Sequence, residues 1–229
     1  MFGRMRDALV RDRINGNPFS SNMLMRLTSF SRASFGALCA GVFLFASLAH
    51  ADDAPAGPDP QVQQLRKSGL VRTNLVPAGK SDRYGHAEVV IDAPASTVRA
   101  VLADYKGYKD LAPNRFKTAR IVGKDGANTD LYFQVPIMKG LVTLWSKLRF
   151  APPSVEGKRE TLEGKFVDGN VRDMHLVLTT RAVDEKTTVM SCDLLIGLKI
   201  PAPQSAIDEE LRDAAADALK AVKRRSESP

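Results

Sequence analysis

The sequence predicts an α+β fold in which a curved antiparallel sheet of about seven strands wraps around one long C-terminal helix. Three observations carry this. Six strand-like runs follow one another between about 116 and 199, each separated from the next by turn residues. One alternating run and two short helical patterns come before them. A single long amphipathic stretch closes the chain, and it is the only element long enough to cover one face of such a sheet.

Taken in order, His86 to Asp92 alternates and puts Ala87, Val89 and Ile91 on one face of a strand. Asp92-Ala-Pro94 stops it, and Pro94 suits a helix start. Val98, Val101, Leu102 and Tyr105 recur at helical spacing, so 95–103 reads as a short helix. A second holds Tyr105 to Leu111 and ends at Pro113. The six runs are 116–123, 129–137, 142–151, 158–167, 171–183 and 187–199, with Gly123–Gly126, Met138–Gly140, Asp168–Asn170 and Asp184–Lys186 as turns between them. After Pro201-Ala-Pro203, Ser205 to Asp208 reads as a capping box. Ile207, Leu211, Ala215, Leu219 and Val222 then form one apolar stripe reaching about Arg225. The order is β-α-α-β-β-β-β-β-β-α.

Ahead of this domain (84–229), residues 1–51 read as a leader and 52–83 as an N-terminal linker, flexible at its Pro-rich start and holding one short helix at most. Ala37 to Leu48 is strongly apolar, Arg26 and Arg32 precede it, and Ala49-His50-Ala51 follows. A basic segment, an apolar segment and an A-x-A exit describe a secretory signal peptide cut after Ala51. The stretch is short for an uncleaved anchor, since a span takes about 20 residues. No Arg pair precedes it, which favours export of an unfolded chain to the periplasm or beyond. Met1, Met23 and Met25 are all candidate starts.

The leader also explains the charge. The whole chain carries +7, but six Arg and two Asp lie in residues 1–51, leaving 27 basic against 24 acidic residues and a net +3. A nucleic-acid partner is therefore not expected. Cys192 is the only cysteine left after cleavage and reads as a small buried hydrophobe.

The stripe on the last helix is rich in Ala and leaves room above the sheet, so an apolar cavity is expected between them. Inward strand positions facing it are Phe133, Val135, Leu148, Phe150, Leu162, Phe166, Leu176, Leu178, Cys192 and Leu194, with Leu211 and Ala215 from the helix. Tyr105, Tyr108 and Tyr132 read either as polar handles for a ligand or as core residues with rim hydroxyls.

The run Val90–Tyr105, VIDAPASTVRAVLADY, with Tyr108 and Pro113 after it, resembles the opening of the START-like helix-grip superfamily. The polyketide cyclase/dehydrase and coenzyme Q-binding branch is the nearest in pattern. Ile200-Pro-Ala-Pro-Gln204, then Arg212, Ala215 and Leu219-Lys220, resembles its closing helix. The resemblance implies a ligand held between sheet and helix. It also implies a role as a carrier, a quinone chaperone, a toxin, or a cyclase or dehydratase.

Chemistry-bearing motifs are scarce. His86 and His175 are the only histidines beyond the leader, at strand positions and without a cysteine pair, so no metal or other cofactor is expected. G-x-S-x-G and P-loop sequences do not occur. A cyclase needs a positioned acid–base pair, and the inward positions offer tyrosines, Cys192 and small hydroxyls instead.

The hairpin 135–142 is apolar where a turn should be polar. Ile137, Met138 and Leu141 read as a transient membrane contact, or as a lid over the cavity against Tyr108 and Leu111. Trp145 is either turned inward by a bulge or exposed beside Lys147 and Arg149 as a docking surface. The leading expectation is an exported binder or carrier of a lipid, quinone or polyketide-like molecule. A cyclase or dehydratase using the same cavity and a protein-interaction module are the alternatives.

Overall fold

The structure is a computed structural model that describes residues 59–79, 81–137 and 140–228. The leader, its cleavage site and Met138 lie outside those residues. The 52–83 segment, read as a linker, holds two ordered elements. Helix α1 (Pro60–Ser68) starts where the Asp59 carboxylate accepts the Gln61 amide at 2.9 Å, and it ends at Gly69 with φ +72°. Its Val62 and Leu65 bury against Val90 and Val189. Strand β1 (Val71–Leu75) follows and pairs antiparallel with β2 (Tyr84–Ile91). Its sequence does not alternate because it is an edge strand with little buried side chain.

Helix α2 (Ala95–Ala103), a tight turn at Tyr105–Gly107 and α3 (Tyr108–Leu111) lead into β3 (Thr118–Asp125), β4 (Asn128–Ile137) and β5 (Val142–Phe150). Then come β6 (Ser154–Glu156), β7 (Arg159–Gly169), β8 (Asp173–Ala182), β9 (Thr188–Gly197) and the long α4 (Gln204–Glu227). The sheet therefore has nine strands, with β1 and the short β6 added to the expected set. Its order is β1-β2-β9-β8-β7-β5-β4-β3, with β6 on β7, and every pairing is antiparallel.

One face of the sheet carries the core. Ile91, Leu131, Leu148, Phe150 and Met190 point to it with at most 1% exposure, against Leu211, Ala215, Leu219 and Val222 of α4. Each large side chain so buried stabilises the fold by about 1.5–3 kcal/mol. The expected capping box does not form. The Ala206 and Ile207 amides donate to the Pro203 carbonyl, so the helix starts earlier, at Gln204. Asp208, its expected far end, accepts instead from Arg83 at 2.6 Å and from Gln204 at 2.8 Å.

Candidate functional site

α4 runs along β2 and β9 and touches β1, while α2 packs over β8 and the Tyr105–Leu111 segment over β3. Close approach to β2 is set by Gly85, where any Cβ would overlap the Leu211 carbonyl. On the far side, Arg115 before β3 reaches over to α4, donating to Asp217 at 2.8 and 2.5 Å and to Glu210 at 2.9 Å. The helix is thus held on both sides of its stripe.

Toward the N-terminal end of α4 the packing loosens. Val135, Phe166, Met174, Leu176, Ile196 and Ile207 pack against the core but remain partly exposed. An open cleft of about 460 Å³ lies there, between residues 81–83, the end of β9 and the first turns of α4. Ile196, Ile207 and Leu211 wall it, and Asp82, Arg83, Arg172 and Gln204 stand among its polar lining. Ile196 also belongs to a second apolar cluster with Ile137, Leu144, Val171 and Met174, so the apolar wall continues inward. Burial alone would raise the Asp208 pKa, but the hydrogen bonds from Gln204 and Arg83 outweigh it and hold the carboxyl below its ordinary value.

The residues expected to line a ligand site separate into groups. Leu211 lines the cleft, and Val135 and Leu176 are half-buried. Phe133, Leu148, Phe150, Cys192, Leu194 and Ala215 lie in packed core; Ala215 and Cys192 have no exposed surface at all. Burial also pushes the Cys192 thiol well above its ordinary pKa, which leaves it without nucleophilic character. Tyr105 lines a separate hollow of about 60 Å³ with Leu102, Leu162 and Leu178.

Tyr108 is buried, and its hydroxyl donates to the Leu102 carbonyl at 2.6 Å. It is a strut between α2 and α3, with its phenol pushed far up by desolvation. Tyr132 points to the opposite face, where its ring centroid lies 5.9 Å from that of Trp145. No bulge turns Trp145 inward, because β4 and β5 stay in register from Thr129 opposite Phe150 to Ile137 opposite Val142. Sequence reasoning missed Arg83, Arg172 and Gln204. The one signal available was the Pro201-Ala-Pro203 break, which sends α4 away from the end of β9.

The two histidines among the described residues also lie on the outer face. His86 bonds Asp193 at 2.5 Å, and His175 sits between the Tyr84 hydroxyl at 2.9 Å and the Glu163 carboxylate at 2.7 Å. Among the described residues, no group of three His, Cys, Asp or Glu side chains is placed to hold a metal ion.

Solved structures share this arrangement. A START superfamily protein from Mycobacterium smegmatis superposes with a TM-score of 0.54 at 17% identity, over 62% of this chain and 95% of that one. A STAR-related lipid transfer protein from Xanthomonas axonopodis gives 0.58 at 13% identity, over 70% and 94%. The chain has the START-like helix-grip fold. Human STARD10 superposes on the same helix grip with a TM-score of 0.55 at 14% identity, over 74% of this chain and 80% of that one. The sequence itself matches no protein-family model and no curated protein.

Proposed function

We propose that this protein is an exported binding or carrier protein for a hydrophobic small molecule such as a lipid, quinone or polyketide-like compound. The observation that carries the reading is the loosened end of the grip. There, inward apolar side chains from four strands and α4 stay partly exposed, and Ile196 and Ile207 among them line an open cleft. Leaving apolar surface unburied is unfavourable unless a ligand covers it. A neighbour with the same fold is named for lipid transfer, which supports the reading.

An enzyme of the cyclase or dehydratase type would use the same cleft, but His86 and His175 face away from it, on the other side of the sheet. The leader 1–51 supports export, with Asp52 as the first residue after cleavage. A carrier must meet a bilayer to deliver. At the hairpin tip Leu141 is 84% exposed and suited to that contact, whereas Ile137 is buried against Leu144 and Val171.

The test is binding of an apolar fluorescent probe to the purified protein, with mass spectrometry of whatever co-purifies from native cells. One saturable site emptied by the co-purified molecule supports the reading. A probe that does not bind, together with an empty co-purification, overturns it.

A further inference from the structure

We propose that the outer face of the β3–β4–β5 sheet, opposite the cleft, docks on an anionic bilayer. Regular register between β4 and β5 stands Tyr132, Trp145 and Lys147 on this face. Arg120 of β3 pairs in register with Tyr132, and its guanidinium lies over that ring at 5.4 Å from the centroid. Tyr132 therefore sits between two cations, Arg120 on one side and Lys147 on the other, with Trp145 beside it at a 30° interplanar angle.

The neighbouring acids form no ion pair with these cations, although Lys147 is near enough to help hold the Asp130 carboxyl below its ordinary pKa. Asp168, in register with Lys147, takes the Gly169 amide at 2.8 Å, and Asp125 and Asp130 are both engaged by Arg149. Among the described residues neither Arg120 nor Lys147 forms an ion pair, and the Trp145 indole N–H has no hydrogen-bond partner. The other half of the outer face is different. There α1 covers Val90 and Val189, and carboxylates pair with His86 and His175.

An aromatic pair between unpaired cations matches the headgroup layer. Tyr and Trp rings favour the membrane–water interface, and Lys and Arg extend their charges to lipid phosphates. Exposed Leu141 closes the same β4–β5 hairpin and adds a small apolar anchor. With two cations the contact is weak, reversible and sensitive to salt. Such a contact suits a carrier, which is the reading it rests on for its purpose.

Trp145 is the only tryptophan of the chain, so its emission reports on this one place. The exported protein is mixed with vesicles of phosphatidylcholine alone or of phosphatidylcholine with phosphatidylglycerol. A blue shift and quenching by brominated lipid are expected with the anionic vesicles only, and both should fade as salt is raised. The double variant Arg120→Gln/Lys147→Gln should bind the anionic vesicles roughly 30-fold more weakly, with an unchanged melting temperature. No response to anionic vesicles overturns the proposal. Equal binding to neutral vesicles, or full binding by the double variant, also overturns it. If Leu141→Ser alone abolishes binding while the double variant keeps it, the hairpin tip and not this face is the dock. The assay needs no cargo, so a cleft that fails to bind the apolar probe would defeat the carrier reading and leave the vesicle result standing.

Discussion

Gly85 of β2 and Leu211 of α4 meet backbone to backbone. A Cβ on Gly85 would run into the Leu211 carbonyl and stand 2.6 Å from the Arg212 amide nitrogen. Neither backbone can give way, since β2 is held between β1 and β9 and α4 by Arg115 and its apolar stripe. Gly85→Ala is expected to destabilise the protein by about 1–3 kcal/mol, the usual penalty for overpacking. Gly123→Ala is the control, because a Cβ there meets only the Asp130 carboxylate side chain, at 3.6 Å or more. Urea unfolding of the two variants should show a large shift for the first and little for the second.

Ala215 and Ile207 separate packing from binding. Ala215 has no exposed surface, so Ala215→Trp should lower the melting temperature sharply and take probe binding down with the fold. Ile207 walls the cleft and is half-buried, so Ile207→Trp should fill the cleft and weaken probe binding with a much smaller loss of stability. Thermal melts and probe titrations on both variants check this. Equal thermal losses in the two would contradict the cleft's placement.

His86 sets a pH dependence. Its hydrogen bond to Asp193, reinforced by the nearby Glu88 carboxylate, raises its pKa above the ordinary 6.5. The unfolded chain lacks these partners, so protonated His86 stabilises the fold fully below pH 6.5, and that contribution is lost as pH rises through the raised folded value. The stability difference between wild type and His86→Gln should be largest near pH 5.5 and shrink toward alkaline pH. A difference that grows with pH would contradict the pairing.

Cys192 should resist alkylation. Maleimide labelling, read by the mass of the peptide holding Cys192, should be negligible in the native protein and complete in denaturant. Native labelling at a rate near that of a free thiol would place Cys192 on an accessible wall.

The six strands from β3 to β9, apart from β6, and the helix α4 were readable because burial is one-sided and leaves a period in the sequence, as with Leu131 and Phe133 or Leu211 and Ala215. Strand β1 was not readable. Its residues are held by backbone pairing and by the Arg72–Asp213 and Arg212–Asn74 contacts, which leave no hydrophobic period. Facing directions were legible too, and they put Cys192 and Ala215 on the inner side. Which inner positions are packed and which are open was not, because that depends on how closely α4 approaches each strand. Gly85 decides the approach on one side and Pro201 to Pro203 on the other, and neither carries an apolar signal. For Tyr132 the sequence left a ligand handle or a core residue with a rim hydroxyl, and strand parity with Phe133 makes it neither by sending it outward.

The pairing of β2 with β9 has a kinetic consequence. It joins Gly85 to Leu194 and Ile91 to Thr188, so the first strand of the folded core waits for the last one to be made. No N-terminal fragment ending before Thr188 can complete the sheet. Such long-range closure is paid in loop entropy before contacts return it, and it makes folding slow relative to a helical bundle. On the export route proposed above, that delay keeps the chain threadable: it can cross a membrane before its own topology locks it.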